Sequence, residues 1–129
     1  MSEVRFEGLF TRYGKRAWLH KFEDTKELTG RNKRPTLSKV QPADYLVCHN
    51  GNMFLAEVKE SRNPTSFPFG NIRDGQLAAA RQVLAAGCSY FFCILQTRTG
   101  SWYRVPATVI LGWPTQSMKW SELEPFRWQ

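Results

Sequence analysis

The sequence predicts a mixed α/β fold, a sheet with helices packed against it, and three stretches carry that prediction. "DYLVCHNGNMFLAEVKES" sets Asn50-Gly51 between two strand-like runs; both residues accept the positive φ of a tight type I′ turn, so a β-hairpin is expected. "NIRDGQLAAARQVLAA", residues 71–86, has the Ala/Leu-rich interior of a helix, with Ile72, Leu77, Ala80, Val83 and Leu84 on its apolar face. "CSYFFCILQ" is a continuous apolar run rich in aromatics, the pattern of a central strand covered on both faces.

In chain order, "VRFEGLFTRYGKR" spaces Phe6, Leu9, Phe10 and Tyr13 as one side of a short N-terminal helix. "AWLHKFED" alternates Trp18, His20 and Phe22 with Leu19 and Lys21, as a strand does. Residues 25–39, "TKELTGRNKRPTLSK", carry Lys26, Arg31, Lys33, Arg34 and Lys39 against Glu27 alone, with no apolar periodicity, and read as a basic loop. The hairpin follows, then the helix over 71–86, with Asn71 as its cap, Asp74 in its first turn and Gly87 as its stop. After the apolar run, the turn signal "RTGS" leads into a strand at "WYRVP". The remainder predicts one short helix and a tail whose Trp113, Trp120 and Trp128 either cover the domain's own core or serve an interface.

Composition bounds the function. A chain of 129 residues, 42% hydrophobic, fits one domain over 1–129 that buries roughly two thirds of its unfolded surface. Eighteen Lys and Arg against eleven Asp and Glu give +7, a balance that favours polyanions such as nucleic acid. No apolar run approaches the roughly 20 residues that span a bilayer, and "MSEVRFEGLF" is charged where a signal peptide is apolar. A cytoplasmic protein without a membrane partner is expected. Cys48, Cys88 and Cys93 form no CxxC, and the last two lie in apolar stretches that read as core, so reduced thiols are expected. Cys48-His49 and His20 lack the ligand spacing of a zinc site. There is no GxxxxGK[ST] and no nucleophile-elbow serine, so neither a nucleotide cofactor nor acyl transfer has a starting point.

The hairpin sharpens the picture. A two-residue loop pairs His49 with Asn52, and every cross-strand pair then has numbers summing to 101, Asp44 with Glu57 among them. Cβ atoms of such partners lie about 4.5–5.5 Å apart, and two like charges placed so are destabilising unless something positive compensates. Alternation puts Glu57 and Lys59 on one face with Leu55, and Phe54, Ala56 and Val58 on the other. Two convergent carboxylates beside an amine suit a hard divalent ion such as Mg2+, which takes oxygen ligands and keeps several waters. The bland alternatives are a solvated Glu/Lys ion pair on a strand, or structural acids in a basic DNA-binding module.

Asp44, Glu57 thirteen positions on, and Lys59 resemble the D...ExK core of the PD-(D/E)xK nuclease superfamily, with Pro42-Ala43-Asp44 where that motif often reads Pro-Asp. "EVKESRNPTSFPFGNIRDGQ" looks like the RecU-type Holliday-junction resolvases, whose ExK strand runs into a Ser-Phe-Pro stretch and then a glutamine at the start of a helix. "GCSYFFCIL" and "WYRVP" resemble their following strands, so the likeness covers about residues 41–106; the archaeal Hjc-type resolvases are similar more distantly. The resemblance implies a restriction-endonuclease-like mixed central sheet flanked by helices, with the catalytic hairpin in the sheet. It also implies a Mg2+-dependent endonuclease, with Mn2+ able to substitute, that acts as a homodimer in DNA recombination and repair and nicks four-way junctions in symmetric pairs. Another branched or duplex DNA is the alternative substrate. Residue by residue, it makes Asp44 and Glu57 metal ligands with the Val58 carbonyl, Lys59 the catalytic lysine and Gln76 the bordering glutamine, although the preceding histidine is here Gly75. It also asks for a glutamate on the N-terminal helix, for which Glu7 is preferred over Glu3. Arg31, Lys33, Arg34, Arg62 and Arg73 are the candidate phosphate contacts, which add affinity without reading sequence. A bacterial cell or a phage-infected host is the implied setting.

Overall fold

A computed structural model describes residues 2–23 and 41–128 of the chain. The predicted basic loop at about 25–40, with Arg31, Lys33 and Arg34, lies outside the described residues. The chain begins with α1 (Ser2–Gly8) and a short 3-10 stretch (Thr11–Arg16), then enters β1 (Ala17–Lys21). The hairpin is β2 (Tyr45–His49) and β3 (Asn52–Ser61), followed by β4 (Ser66–Pro68), a single turn at Phe69–Asn71, and α2 (Asp74–Ala85). Then come β5 (Tyr90–Gln96), β6 (Ser101–Pro106), α3 (Ala107–Leu111), β7 (Ser117–Lys119), α4 (Trp120–Leu123) and a last turn at Glu124–Phe126. Among the described residues no helix is long and apolar enough to cross a membrane.

Five strands form one mixed sheet in the order β1-β2-β3-β5-β6. β3 and β5 are parallel, joined by the α2 crossover that a parallel pair requires, and the other neighbours are antiparallel. Alternation along β5 explains its apolar run. Phe92 and Ile94 join the core under α2 and α3, while Cys93 and Leu95 join the core under α1, so both faces of the strand are sealed. Asn50 and Gly51 adopt φ of 50° and 81°, as a type I′ turn demands, and β2–β3 pairs run from His49–Asn52 to Tyr45–Ala56 in the expected register.

Three expectations change. The helix starts at Asp74 rather than Asn71, because Gln76 caps it: its Oε1 accepts the Arg73 N–H at 2.9 Å, and Ile72 and Arg73 stay extended. Its end is as expected, with Gly87 at φ 84°. Cys88 is exposed, since it sits in the turn just beyond Gly87 rather than inside β5. The C-terminal region holds α3, β7 and α4, not one helix and a tail, and β7 pairs with β4 as a separate two-stranded sheet. The tryptophans cover the domain's own core: Trp120 is buried and donates to the Asn63 carbonyl at 2.7 Å, Trp113 packs beside it, and Trp128 lies on Phe6 and Phe10.

Candidate active site

The β2–β3 hairpin meets the start of α2 at a cleft lined by Asp44, Glu57, Val58, Lys59, Arg73, Gly75 and Gln76, with Glu3, Lys21 and Phe22 on its outer wall. Ladder pairing between β2 and β3 stops at Tyr45–Ala56, so Asp44 is not a regular partner of Glu57. Its N–H donates to the Ala56 carbonyl at 3.2 Å, and its carboxylate Oδ2 accepts the Val58 N–H at 2.8 Å, filling the place of the missing strand. Pro42 has no N–H to continue the ladder. Its carbonyl instead accepts the Tyr90 hydroxyl at 2.6 Å, and the Asp44 carbonyl accepts the Phe22 N–H at 2.9 Å. The departure from β pairing thus aims Asp44 across the strand toward the cleft, and four main-chain or hydroxyl contacts hold it there.

Glu57 is 3% exposed and makes two contacts through the same oxygen, Oε2: Gln76 Nε2 donates at 2.7 Å and Lys59 Nζ lies 3.4 Å away. Gln76 therefore ties the start of α2 to the carboxylate, one end of its amide capping the helix and the other holding Glu57. Burial and the Asp44 charge push the Glu57 carboxyl up to about 8, against the opposing pull of Lys59. Burial also raises Asp44, and the Val58 N–H partly offsets it. One buried and one half-buried carboxyl, side by side, are short of positive charge. Their oxygen-only chemistry fits a hard divalent cation, which would supply what one lysine cannot. Among the described residues no three His, Cys, Asp or Glu side chains gather closely enough to hold a metal alone. Asp44 and Glu57 would hold such an ion, with Val58 on the same cleft wall.

The structure gathers Asp44, Glu57, Val58, Lys59, Gln76 and Arg73 at one cleft and leaves Glu7 off its wall. That side chain accepts the Tyr45 hydroxyl and is absent from the cleft wall. Glu3, one helical turn earlier, lines the cleft and pairs with Lys21 at 2.9 Å. The choice turns on where α1 meets the sheet, which its own sequence does not specify. Arg62 lies in a second cleft with Arg5 and Arg98. The sequence also gave no sign of Tyr90 as the brace behind Pro42; only the register of β5 on β3 places it there.

A mixed sheet with a carboxylate pair and a lysine on its central hairpin is the arrangement of a restriction-endonuclease-like fold. The solved structure of Hjc from Archaeoglobus fulgidus, described as a Holliday junction resolvase from an archaeal hyperthermophile, superposes on 98% of this chain and 94% of its own, with a TM-score of 0.60 and 12% identity. Comparison with curated proteins by sequence finds no match. Residues 19–125 match the family described as RecU, recombination protein U, and the chain belongs to that family.

Proposed function

We propose that this protein is a Mg2+-dependent endonuclease that resolves four-way DNA junctions. The observation that carries the reading is the pairing of buried Glu57 with half-buried Asp44, with Lys59 Nζ 3.4 Å from Glu57, at an open cleft of a +7 protein in the RecU family. Asp44 and Glu57 would hold the ion with Glu3 nearby, and Mn2+ would substitute. When bound, such an ion polarises the scissile phosphate, helps to deprotonate water and stabilises the leaving oxygen. Gln76 keeps the Glu57 oxygen in place, so the ligand pair needs little rearrangement. Lys59 projects beside that oxygen, where its ammonium orients the attacking water and balances charge building on the phosphate. Arg73, on the same wall, faces the DNA backbone.

A junction presents two symmetry-related scissile strands, so two copies of the chain related by a twofold axis form the natural cutting unit, acting in the cytoplasm. The test is cleavage of labelled four-way junction, flap and linear duplex in Mg2+ and Mn2+. Paired symmetric nicks on the junction, lost in Glu57→Gln, support the reading. Equal cutting of linear duplex overturns the resolvase assignment, and an intact junction with both metals overturns the nuclease assignment in favour of a binding module.

A further inference from the structure

A second cleft lies past the end of β3, lined by Arg5, Glu60, Arg62, Thr97 and Arg98. It is separate from the catalytic cleft, and the chain passes between the two. Lys59 and Glu60 are consecutive on β3 and point to opposite faces, one into each cleft. On α1, Glu3 lines the first and Arg5 the second. Three guanidinium groups against one carboxylate leave the second cleft net positive. Among the described residues no carboxylate pairs with Arg5, Arg62 or Arg98, although Glu60 shares their wall. Three guanidinium groups that converge and stay unpaired leave their donor forks open to an anion.

The support beneath these side chains is rigid. Thr97 N–H and Oγ1 both donate to the Ser61 carbonyl, at 3.1 and 3.2 Å, which locks the residue before Arg98 against the residue before Arg62. The turn carrying Arg98 is closed by the Gly100 N–H on the Gln96 carbonyl at 2.9 Å, with Gly100 at φ 74°, and by Thr99 Oγ1 on Gln96 Oε1 at 3.1 Å. On the far side of Arg62, Asn63 N–H donates to Ser61 Oγ at 3.1 Å, and Asn63 Oδ1 accepts the Thr65 and Ser66 N–H groups at 2.9 and 3.0 Å. Arg62 and Arg98 therefore leave a shared frame, whose geometry is set before any ligand arrives.

We propose that Arg5, Arg62 and Arg98 bind a DNA backbone phosphate other than the scissile one, so that the substrate is held at two points astride the end of β3. The inference rests on the reading that DNA is the substrate. At about 3.3 Å per residue, Arg62 stands about 10 Å along the strand from Lys59. That is several nucleotide steps of the 3.4 Å rise of one strand, so the two clefts engage different phosphates.

The experiment is the salt dependence of junction binding by fluorescence anisotropy, with Ca2+ replacing Mg2+, for wild type, Arg98→Gln, Arg62→Gln and the α2 surface control Arg81→Gln. Each lost phosphate contact should lower the slope of log K against log salt by about 0.9. Arg98→Gln and Arg62→Gln should each lower it by up to that amount, since both side chains are assigned to one phosphate, while Arg81→Gln keeps the wild-type slope. Wild-type slopes in both cleft variants would overturn the inference, as would an equal loss in the control. Inorganic phosphate, followed through the amide signals of Thr97 and Arg98, separates the source of the anion. Shifts that vanish once junction DNA is bound support a DNA phosphate; shifts that persist on the complex assign the cleft to a free anion and overturn it. Nuclease activity is scored separately in Mg2+: a wild type that cuts junctions beside unaltered slopes sinks only this inference, and lowered slopes beside an uncut junction sink only the nuclease reading.

Discussion

Replacing Glu57 by Gln should stabilise the metal-free protein while abolishing cleavage. The Glu57 carboxyl is held at about 8 in the fold against 4.5 for an ordinary glutamate, chiefly by burial and then by the Asp44 charge. Because its folded pKa is raised, the folded state binds more protons than the unfolded chain between those two values. Stability is then full below about 4.5 and falls as pH rises toward 8. At about 1.4 kcal/mol per unit, keeping the Glu57 proton in the fold while the unfolded chain releases it costs about 3 kcal/mol at pH 7 and under about 1 kcal/mol at pH 5. Gln is isosteric and neutral, and its amide oxygen can still accept Gln76 Nε2, now 2.7 Å from Oε2. The variant should therefore melt on the order of 10 °C above wild type at pH 7 in EDTA. At pH 5 the two should nearly coincide. Added Mg2+ should raise the wild-type midpoint at pH 7.5 and leave the variant nearly unmoved, because an ion that binds only the folded state stabilises by mass action. Thermal unfolding followed by circular dichroism at both pH values measures all of this. A variant that melts below wild type at pH 7, or a pH-independent gap between them, would refute the argument that Asp44 and Glu57 await a cation.

Lys59→Met should lower junction cleavage by about a hundredfold or more with Mg2+ binding largely retained, as expected for a group acting on the water and the phosphate; single-turnover rates read it. Glu3→Gln should raise the Mg2+ concentration needed for half-maximal cleavage by about tenfold, the effect of losing a carboxylate at the rim of an ion site. Glu7→Gln should instead leave that midpoint in place and lower stability by about 1 kcal/mol through the Tyr45 hydroxyl bond. A metal titration that moves for Glu7 and not for Glu3 would reverse the assignment. Gly51→Val forces a β-branched residue to the φ of 81° seen in the hairpin turn and should destabilise by about 2 kcal/mol, measured by urea unfolding.

The hairpin was legible because its constraints are local. Asn50-Gly51 sets the turn, the turn sets the register, and period two sets the faces of Glu57 and Lys59. Central β5 was legible from its unbroken apolar run. What local pattern could not supply was anything fixed by a long-range contact. β4 and β7 have three residues each and no periodicity to show; they are strands only because the Ser-Phe-Pro stretch and Ser117–Lys119 come together in the fold. The counting rule reached its limit at Asp44 for the same reason. Extending it made Asp44 a ladder partner of Glu57, whereas pairing ends one residue earlier and the Asp44 carboxylate takes the Val58 N–H for itself. That small failure bears on function. A carboxylate locked in regular cross-strand pairing would be positioned by the sheet alone, but Asp44 is held by Ala56, Val58 and Phe22, with Tyr90 bracing Pro42 two residues before it. The acid that breaks the ladder is thus fixed by elements distant in sequence, and its aim into the cleft depends on the β3–β5 register as much as on the hairpin that carries it.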